Sequence, residues 1–243
     1  MIRVAAVGDI HLGVGDNGTC RAAYEDLRDH ADVLLLAGDL TRHGSVAEAR
    51  VVGAEFADLG VPVVAVLGNH DHHGGEPQEV TGVLQECGIT VLDGTGVVLD
   101  LPGGRLGIGG AKGFGGGFVG RSAANFGEPE MKAFVAAAQR EAALLEQGLG
   151  ELEAHHVVAL THYSPSVDTL AGEPAEIHPF LGSYLLAECI DGTSVDLAIH
   201  GHAHHGTECG RTEGGVPVRN VARPVIRKAY ALYHLGSREK GAA

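Results

Sequence analysis

Five short apolar runs in this chain each lead into an Asp, Asn or His residue. They are rich in Val, Leu and Ala, and they cover residues 4–7, 33–37, 63–67, 157–160 and 195–199. Short runs of this kind, when Gly residues bound them, are typical of buried strands. Side chains at the carboxyl ends of neighbouring strands meet at one crevice. The pattern therefore predicts that the polar residues after these runs form one site.

Segments with helical spacing of apolar residues separate these strands. We expect helices over 19–30, 46–59, 76–87 and 128–149, with Ser45 as the N-cap of the second. Residues 96–101 and 105–108 are expected to pair as a hairpin, and short strands are expected at 90–92 and around Thr207, Val218 and Tyr230. The alternation predicts an α/β fold, and the hairpins indicate a second, more antiparallel sheet.

The segments after the five strands carry oxygen and imidazole donors. They read GDIH (8–11), GD (38–39), GNHD (68–71), TH (161–162) and HGH (200–202). This donor set suits Mn2+, Fe, Zn2+ or Co2+ better than ions that prefer thiolates. A carboxylate can bridge two cations about 3.5–4 Å apart, a separation at which the pair clamps the attacking and leaving oxygens of phosphoryl transfer. Asp39 is the candidate bridge.

The order of these blocks resembles that of the calcineurin-like metallophosphoesterases. Asp-x-His, Gly-Asp, Gly-Asn-His-Asp, a His after a strand and Gly-His-x-His appear here as GDIH, GDL, GNHD, THY and HGHAH, between Asp9 and His202. The resemblance implies one metal site from Asp9, His11, Asp39 and His202, and a second from Asp39, Asn69, His162 and His200. It implies that His70 lies outside the metal shell, near the phosphate. His70 is therefore the expected catalytic residue, and Asn69 and His70 are the expected substrate-binding residues.

The fold that the resemblance implies is a four-layer α/β/β/α sandwich with two mixed β-sheets. The function that it implies is hydrolysis of a phosphodiester by in-line attack of a metal-bridging hydroxide, with His70 assisting. The expected cofactors are two divalent transition-metal ions, Mn2+ first, with Fe, Zn2+, Co2+ and Ni2+ as alternatives. Within the family, the GNHD block and the compact length look most like the cyclic-nucleotide phosphodiesterase branch.

Several other functions are compatible with the same residues. A phosphomonoesterase of a small phosphate ester, or a nuclease of short single strands, would differ from such a phosphodiesterase only in the loops around the metal centre. A non-catalytic binding scaffold on the same fold is a further alternative. The metallo-β-lactamase pattern His-x-His-x-Asp-His is approached at 200–205, but His204 occupies the Asp position. The remaining histidines of the two His-rich blocks, His72, His73, His204 and His205, are expected to support ligands or to lie at the surface.

Length and charge narrow the class of protein. At 243 residues, 44% of them hydrophobic, the chain predicts one domain over 1–235 with a frayed C-terminal tail at 236–243. The net charge of -14 disfavours a protein that coats long nucleic acid or a membrane. A small phosphoester is the expected partner. The N-terminal sequence lacks a secretory h-region, and no apolar stretch is long enough to span a bilayer, which predicts a cytoplasmic protein.

Two loops are expected to influence the choice of substrate. Residues 109–125 contain Lys112, Phe114, Phe118 and Arg121, which could close over a nucleotide by stacking and charge. The same composition is equally typical of a mobile surface loop. Residues 163–178 begin beside His162 and should line the cleft.

Overall fold

The apolar runs of the sequence form two mixed sheets. A computed structural model describes residues 1–150 and 152–236 of the protein. The first sheet contains β1 Ile2–Val7, β2 Val33–Ala37, β3 Val63–Val66, β4 Ile89–Val91 and β13 Ala231–Leu235, in the order β13-β1-β2-β3-β4. Strands β1 to β4 are parallel, and β13 pairs antiparallel with β1.

The second sheet has a parallel centre and antiparallel edges. Its strands are β5 Thr95–Leu101, β6 Gly104–Gly110, β9 His156–Leu160, β10 Leu197–His200, β11 Cys209–Arg211 and β12 Pro217–Asn220, in the order β11-β12-β10-β9-β6-β5. The predicted hairpin is confirmed as the antiparallel pair of β5 and β6. A separate two-stranded ribbon pairs β7 Gly117–Phe118 with β8 Arg121–Ser122.

Most of the predicted helices are confirmed within a few residues. The α-helices are α1 Leu27–His30, α2 Val46–Phe56, α3 Pro77–Glu86, α4 Pro129–Leu149, α5 His178–Leu181, α6 Tyr184–Asp191 and α7 Arg223–Ile226, with 3-10 turns at Arg21–Tyr24, Val167–Leu170 and Ala175–Ile177. Ser45 caps α2 through a reciprocal pair of hydrogen bonds with Glu48. The continuous helix predicted over 19–30 is wrong. The carboxylate of Glu55 accepts the backbone N–H groups of Gly18, Cys20 and Arg21, which holds the start of this segment in turns.

The strands of the second sheet have one face toward the first sheet and one toward helices. Val158 and Leu160 of β9 belong to the core between the sheets, whereas Val157 and Ala159 pack in the cluster that contains residues of α4 and α6. Helices α2 and α3 pack together beside the first sheet. The predicted four-layer α/β/β/α sandwich is thus confirmed.

Two further expectations concern the extent of the domain and the C-terminal tail. The single domain expected over residues 1–235 stays a prediction. Of the predicted tail at 236–243, all but Gly236 lies outside the described residues. Within the described ranges, we find no helix that combines the length and the apolar character needed to cross a membrane.

Candidate metal centre

The turns after the strands hold several site residues in an uncommon backbone conformation. Asp9 (φ 58°), His11 (φ 51°), Asp39 (φ 51°) and His202 (φ 69°) all lie in the left-handed region. Residues other than Gly seldom adopt this conformation, and where they do they often cluster at functional sites. The turns also bond to one another, because the backbone N–H of Asp9 donates to the carbonyl of Gly38 at 2.9 Å. The strand ends of the first sheet are therefore held in fixed register.

Three groups of potential ligand atoms lie at these turns. Within each group the ligand atoms are within 4.8 Å of one another, and the groups are Asp9, His11 and His204; His11, Asp39 and His70; and Asp39, His162 and His202. His11 and Asp39 each belong to two groups, so the three are contiguous. We refer to these residues together as the Asp39 cluster.

The two carboxylate oxygens of Asp39 face different histidines. The side chain is 2% exposed. Oδ1 lies 3.3 Å from Nε2 of His162 and accepts the backbone N–H of His70 at 2.8 Å. Oδ2 lies 3.7 Å from Nε2 of His11 and 3.9 Å from Nε2 of His70. A carboxylate in this position can serve two cations at once, which is the role that the sequence suggested for it.

Asp9 joins the end of β1 to the loop after β10. Its carboxylate accepts the backbone N–H of His202 at 2.9 Å and 3.1 Å, and Oδ1 lies 2.8 Å from Nε2 of His204. The rings of His202 and His162 have their centroids 4.8 Å apart. His204 is thus grouped with Asp9 and His11, whereas His202 is grouped with Asp39 and His162.

His200 lies apart from the Asp39 cluster, contrary to the expected ligand set. Its buried ring places Nε2 2.8 Å from Oγ1 of Thr169 and Nδ1 2.7 Å from the carbonyl oxygen of Gly201, so both nitrogens have protein partners. The sequence reasoning missed His204, although Gly201-His202-Ala203-His204 is the segment that reads Gly-His-x-His. The structure therefore shifts the candidate pair in this block by two residues, from His200 and His202 to His202 and His204.

Asn69 and His70 follow β3 at the edge of the cluster. Oδ1 of Asn69 lies 3.0 Å from Nε2 of His162. The side chain of His70 is 44% exposed, and its Nδ1 lies 2.8 Å from the carbonyl oxygen of Arg42. Its neighbour Asp71 instead accepts hydrogen bonds from Leu40, Thr41 and Gly68 and so ties the turn after β2 to the turn after β3.

Charge is distributed unevenly among the buried groups. Burial disfavours charge on both Asp39 and His162, but each stabilises the other. The charge and hydrogen bond of His162 hold the pKa of Asp39 below its usual range, and Asp39 raises the pKa of His162 to about 9. Burial lowers the pKa of His202 to about 3 and also lowers the pKa of His11. His202 and His11 are therefore neutral at pH 7, which is the form of imidazole that binds metals.

The cluster has the features of a cation site. Nε2 of His11 is buried and has no hydrogen-bond partner within 1–150 and 152–236, and such atoms call for an ion or a water molecule. Nδ1 of His162 lies 2.9 Å from the carbonyl oxygen of Ala37, which orients Nε2 toward Asp39 and Asn69. Oxygen and imidazole donors together suit first-row divalent ions. The residues that are present thus fit a pair of metal ions.

The two loops differ in their relation to the centre. Lys112 forms an ion pair with Glu141 at 3.1 Å and lies over the ring of Phe114, while Phe118 is buried. These side chains therefore do not form the exposed cover considered for residues 109–125. In the second loop, Thr169 contacts His200, and beyond it the carbonyl oxygen of Phe180 lies 3.2 Å from Nε2 of His202. The segment over 163–181 thus lies against the loop after β10.

Comparison with known proteins finds one family over most of the chain. The family model described as calcineurin-like phosphoesterase matches residues 2–206. A protein from Synechococcus sp. that is named as a probable cyclic nucleotide phosphodiesterase is 31% identical over 97 residues. The aligned part covers 36% of this chain and 35% of that protein, so the match spans about a third of the relative's length.

Two solved structures illustrate the range of proteins with this fold. The phosphopantetheinyl hydrolase of Mycobacterium tuberculosis matches with a TM-score of 0.67 and 14% identity, over 99% of this chain and 97% of that one. GAP50, described as the anchor in the inner membrane complex of Plasmodium, matches with a TM-score of 0.54 and 11% identity, over 92% and 72% of the two chains. At these identities the likeness shows a shared fold, and function has to be argued from the residues of the site.

Proposed function

Since the chain belongs to the calcineurin-like phosphoesterase family, we propose that it is a metal-dependent hydrolase of phosphodiesters. The observation that carries the proposal is the position of Asp39. Its two oxygens lie between His11 on one side and His162 on the other, and both histidines have further donors beside them. A shared carboxylate between two donor sets is what a two-metal phosphoesterase requires.

The donors divide into two sites around Asp39. We assign Asp9, His11, Asp39 and His204 to site A, and Asp39, Asn69, His162 and His202 to site B. Divalent ions held by these residues would supply Lewis acidity for a phosphoryl oxygen and would lower the pKa of water toward neutrality. We expect Mn2+ first, with Fe, Zn2+, Co2+ and Ni2+ as alternatives.

His70 is the proposed catalytic residue. It is half-exposed, so substrate can reach it, and its Nδ1–H donates to the carbonyl oxygen of Arg42. This hydrogen bond leaves Nε2 as the atom that moves a proton, and Nε2 is directed toward the side of Asp39 that faces His11. His70 protonated at Nε2 can stabilise charge on the phosphoryl group or protonate the departing alkoxide. The amide of Asn69 is the proposed second contact to substrate.

A phosphodiester is favoured over the alternatives by charge and by similarity. The net charge of -14 disfavours long nucleic acid, and the curated relative is named for cyclic nucleotides. A small ester, with cyclic nucleotides among the candidates, is therefore the proposed substrate, and phosphomonoesters and short single strands are the alternatives. A cytoplasmic location stays a prediction from the sequence.

A non-catalytic scaffold on this fold is the rival from another class. The anchor protein GAP50 shows that the fold occurs in proteins described by a binding role. In this chain, however, the buried Asp39 and His162 and the partly exposed His202 place their ligand atoms within 4.8 Å of one another. Nε2 of His11 is buried without a hydrogen-bond partner in the described residues. Such burial costs free energy that a bound metal ion would offset and that a scaffold without metal would have to bear.

The replacement Asp39→Ala tests the proposal. It removes the carboxylate common to sites A and B, so both metals should be released and Mn2+-stimulated hydrolysis of bis-p-nitrophenyl phosphate should fall by at least about a thousandfold. Asp100→Ala is the matched control, because the side chain of Asp100 is 89% exposed and lies at the far end of the β5–β6 hairpin.

A purified wild-type protein without bound metal or Mn2+-stimulated turnover would favour the scaffold. A screen over cyclic nucleotides, linear diesters and monoesters then separates the substrate classes.

A further inference from the structure

A small cavity opens beside site B, outside the Asp39 cluster. It has a volume of about 210 Å³ and lies between the start of α3, the end of β4 and the end of β6. This is smaller than the roughly 300–1,000 Å³ typical of pockets for whole drug-sized ligands. The cavity therefore suits one part of a substrate, such as a single ring system.

Three residues that line the cavity are linked to proposed site residues, two by closeness in sequence and one by a backbone hydrogen bond. Leu67 lies two residues before Asn69, and His72 lies two residues after His70. The carbonyl oxygen of Lys112 accepts the backbone N–H of His162 at 2.9 Å. A group attached to a phosphoester in site B is thus within reach of this cavity.

The lining combines apolar walls with polar groups. Leu67, Val91 and Leu92 supply apolar surface, and Thr81, Asp93 and Lys112 supply polar atoms. A flat heterocycle has apolar faces and a polar edge, so it matches such a lining better than an aliphatic chain or a sugar does.

Asp93 and Lys112 determine which hydrogen-bonding edge of a heterocycle the cavity favours. The carboxylate of Asp93 accepts no hydrogen bond and forms no ion pair in the described part of the chain, so both of its oxygens can accept from a ligand. Nζ of Lys112 donates to the carbonyl oxygen of Gly113 at 2.7 Å and contacts Glu141 at 3.1 Å. The rings of Phe114 and Tyr163 also lie 5.2 Å and 5.4 Å from Nζ. An ammonium group has three donors, so one is left without an oxygen partner and can donate to a ligand.

From these features we propose that the cavity binds the guanine base of a nucleoside phosphoester. Guanine presents two adjacent donors, N1–H and N2–H, beside the acceptor O6. Asp93 accepts from the two donors, and the free donor of Lys112 reaches O6. Adenine presents a donor at position 6 and an acceptor at N1, so it would oppose both groups. The inference rests on the proposed function, since it names the substrate class of the same centre.

Binding of nucleosides to the metal-free protein tests the inference without using activity. Calorimetric titration in a chelator should give tighter binding of guanosine than of inosine, which lacks N2–H, and tighter binding of inosine than of adenosine. Asp93→Asn should weaken guanosine binding at least about fivefold and narrow the difference from inosine, because the amide presents a donor to N2–H. Asp100→Asn, the same change on an exposed strand, should leave the affinities unchanged.

Filling the cavity provides a second variant. Thr81→Trp should abolish guanosine binding, whereas Gln85→Trp, on the exposed part of α3, should not. Equal binding of guanosine and adenosine, no binding of any nucleoside, or an unchanged preference in Asp93→Asn would overturn the proposal. Such a result alongside metal-dependent turnover of bis-p-nitrophenyl phosphate would leave the proposed function intact. Guanosine binding without any metal-dependent turnover would instead contradict the proposed function alone.

Discussion

Neighbouring histidines in the segment after β10 have different environments and should respond differently to mutation. Nε2 of His204 faces the carboxylate of Asp9, whereas Nε2 of His200 faces the hydroxyl of Thr169. His204→Ala should therefore reduce bound metal from about two ions per chain to about one, with loss of turnover. His200→Ala should keep both metals but lower the free energy of unfolding by roughly 1–3 kcal/mol, because it removes a buried hydrogen bond to Thr169, whose hydroxyl keeps its contacts with Ser164 and Ser166.

Metal content and chemical denaturation of the two variants measure this difference. If the His200→Ala protein lost one ion while the His204→Ala protein retained both, the result would support the ligand set expected from the sequence, with His200 and His202. The sequence carried a signal for the second pair, since His202 follows Gly201 in a Gly-His-x-His segment whereas His200 follows Ile199. In the structure His202 lies with Asp39 and His204 with Asp9, while His200 faces Thr169.

The raised pKa of His162 predicts proton release when metal binds. In the metal-free protein Asp39 raises the pKa of His162 to about 9, so this ring carries a proton at pH 7.5. A metal ligand must be neutral, and binding should therefore release at least about one proton at that pH. As the pH rises through about 9, His162 loses its proton beforehand and this release should disappear.

Calorimetry in buffers of different ionisation enthalpy measures the released protons. His202 and His11 should contribute none at pH 7.5, because burial lowers the pKa of each. His162→Asn should reduce the release at pH 7.5, and the part that remains should come from His204, whose pKa is raised by its hydrogen bond with Asp9. Metal binding to the wild type without proton release at pH 7.5 would mean that His162 is not charged in the free protein.

At the scale of elements, the turns between strands and helices position the donors. At residue 68 an added Cβ would collide with Oδ1 of Asp39. Gly68→Ala should therefore displace the carboxylate and reduce metal affinity by roughly tenfold or more, comparable to the loss of a supporting residue. Gly82→Ala in α3 is the control, since nothing lies within 4 Å of the added carbon and Ala favours helix.

Metal titration of the two Gly variants, followed by thermal melting, distinguishes a local effect from unfolding. Equal metal affinity in Gly68→Ala and the wild type would show that Asp39 tolerates a shift of its carboxylate. The close approach of the backbone at Gly68 would then not be what fixes the carboxylate of Asp39.

Local signals explain which elements could be predicted. The Ser45 capping box, the hairpin of β5 and β6 and the long helix α4 are encoded by residues near one another in sequence. The pairing of β13 with β1 joins opposite ends of the chain and has no local signal. The segment at 19–30 failed as a helix because Glu55, which is distant in sequence, binds its backbone.

At the scale of the whole molecule, the centre spans both sheets. The first sheet supplies Asp9, Asp39 and Asn69 from the ends of β1, β2 and β3, and the second supplies His162 and His202 from the ends of β9 and β10. The resemblance of ordered motifs indicated this convergence, because each block follows an apolar run. The strand order that brings β9 and β10 beside the first sheet depends on packing of the two inner faces, which a single sequence does not display.

The overall charge acts differently at the surface and at the centre. A net charge of -14 repels polyanions at a distance. Divalent cations around Asp39 would reverse the sign of the field locally, so a small anionic ester can still be attracted into the cleft. This combination is consistent with a small phosphoester as substrate.

Anomalous diffraction from crystals of the Mn2+-loaded protein tests the central claim most directly. We predict two peaks per chain with the carboxylate of Asp39 between them, His204 bound to one ion and His202 bound to the other. His200 should remain against Thr169. A single peak remote from Asp39, or an ion bound by His200 in place of His202 or His204, would contradict the proposed two-metal centre.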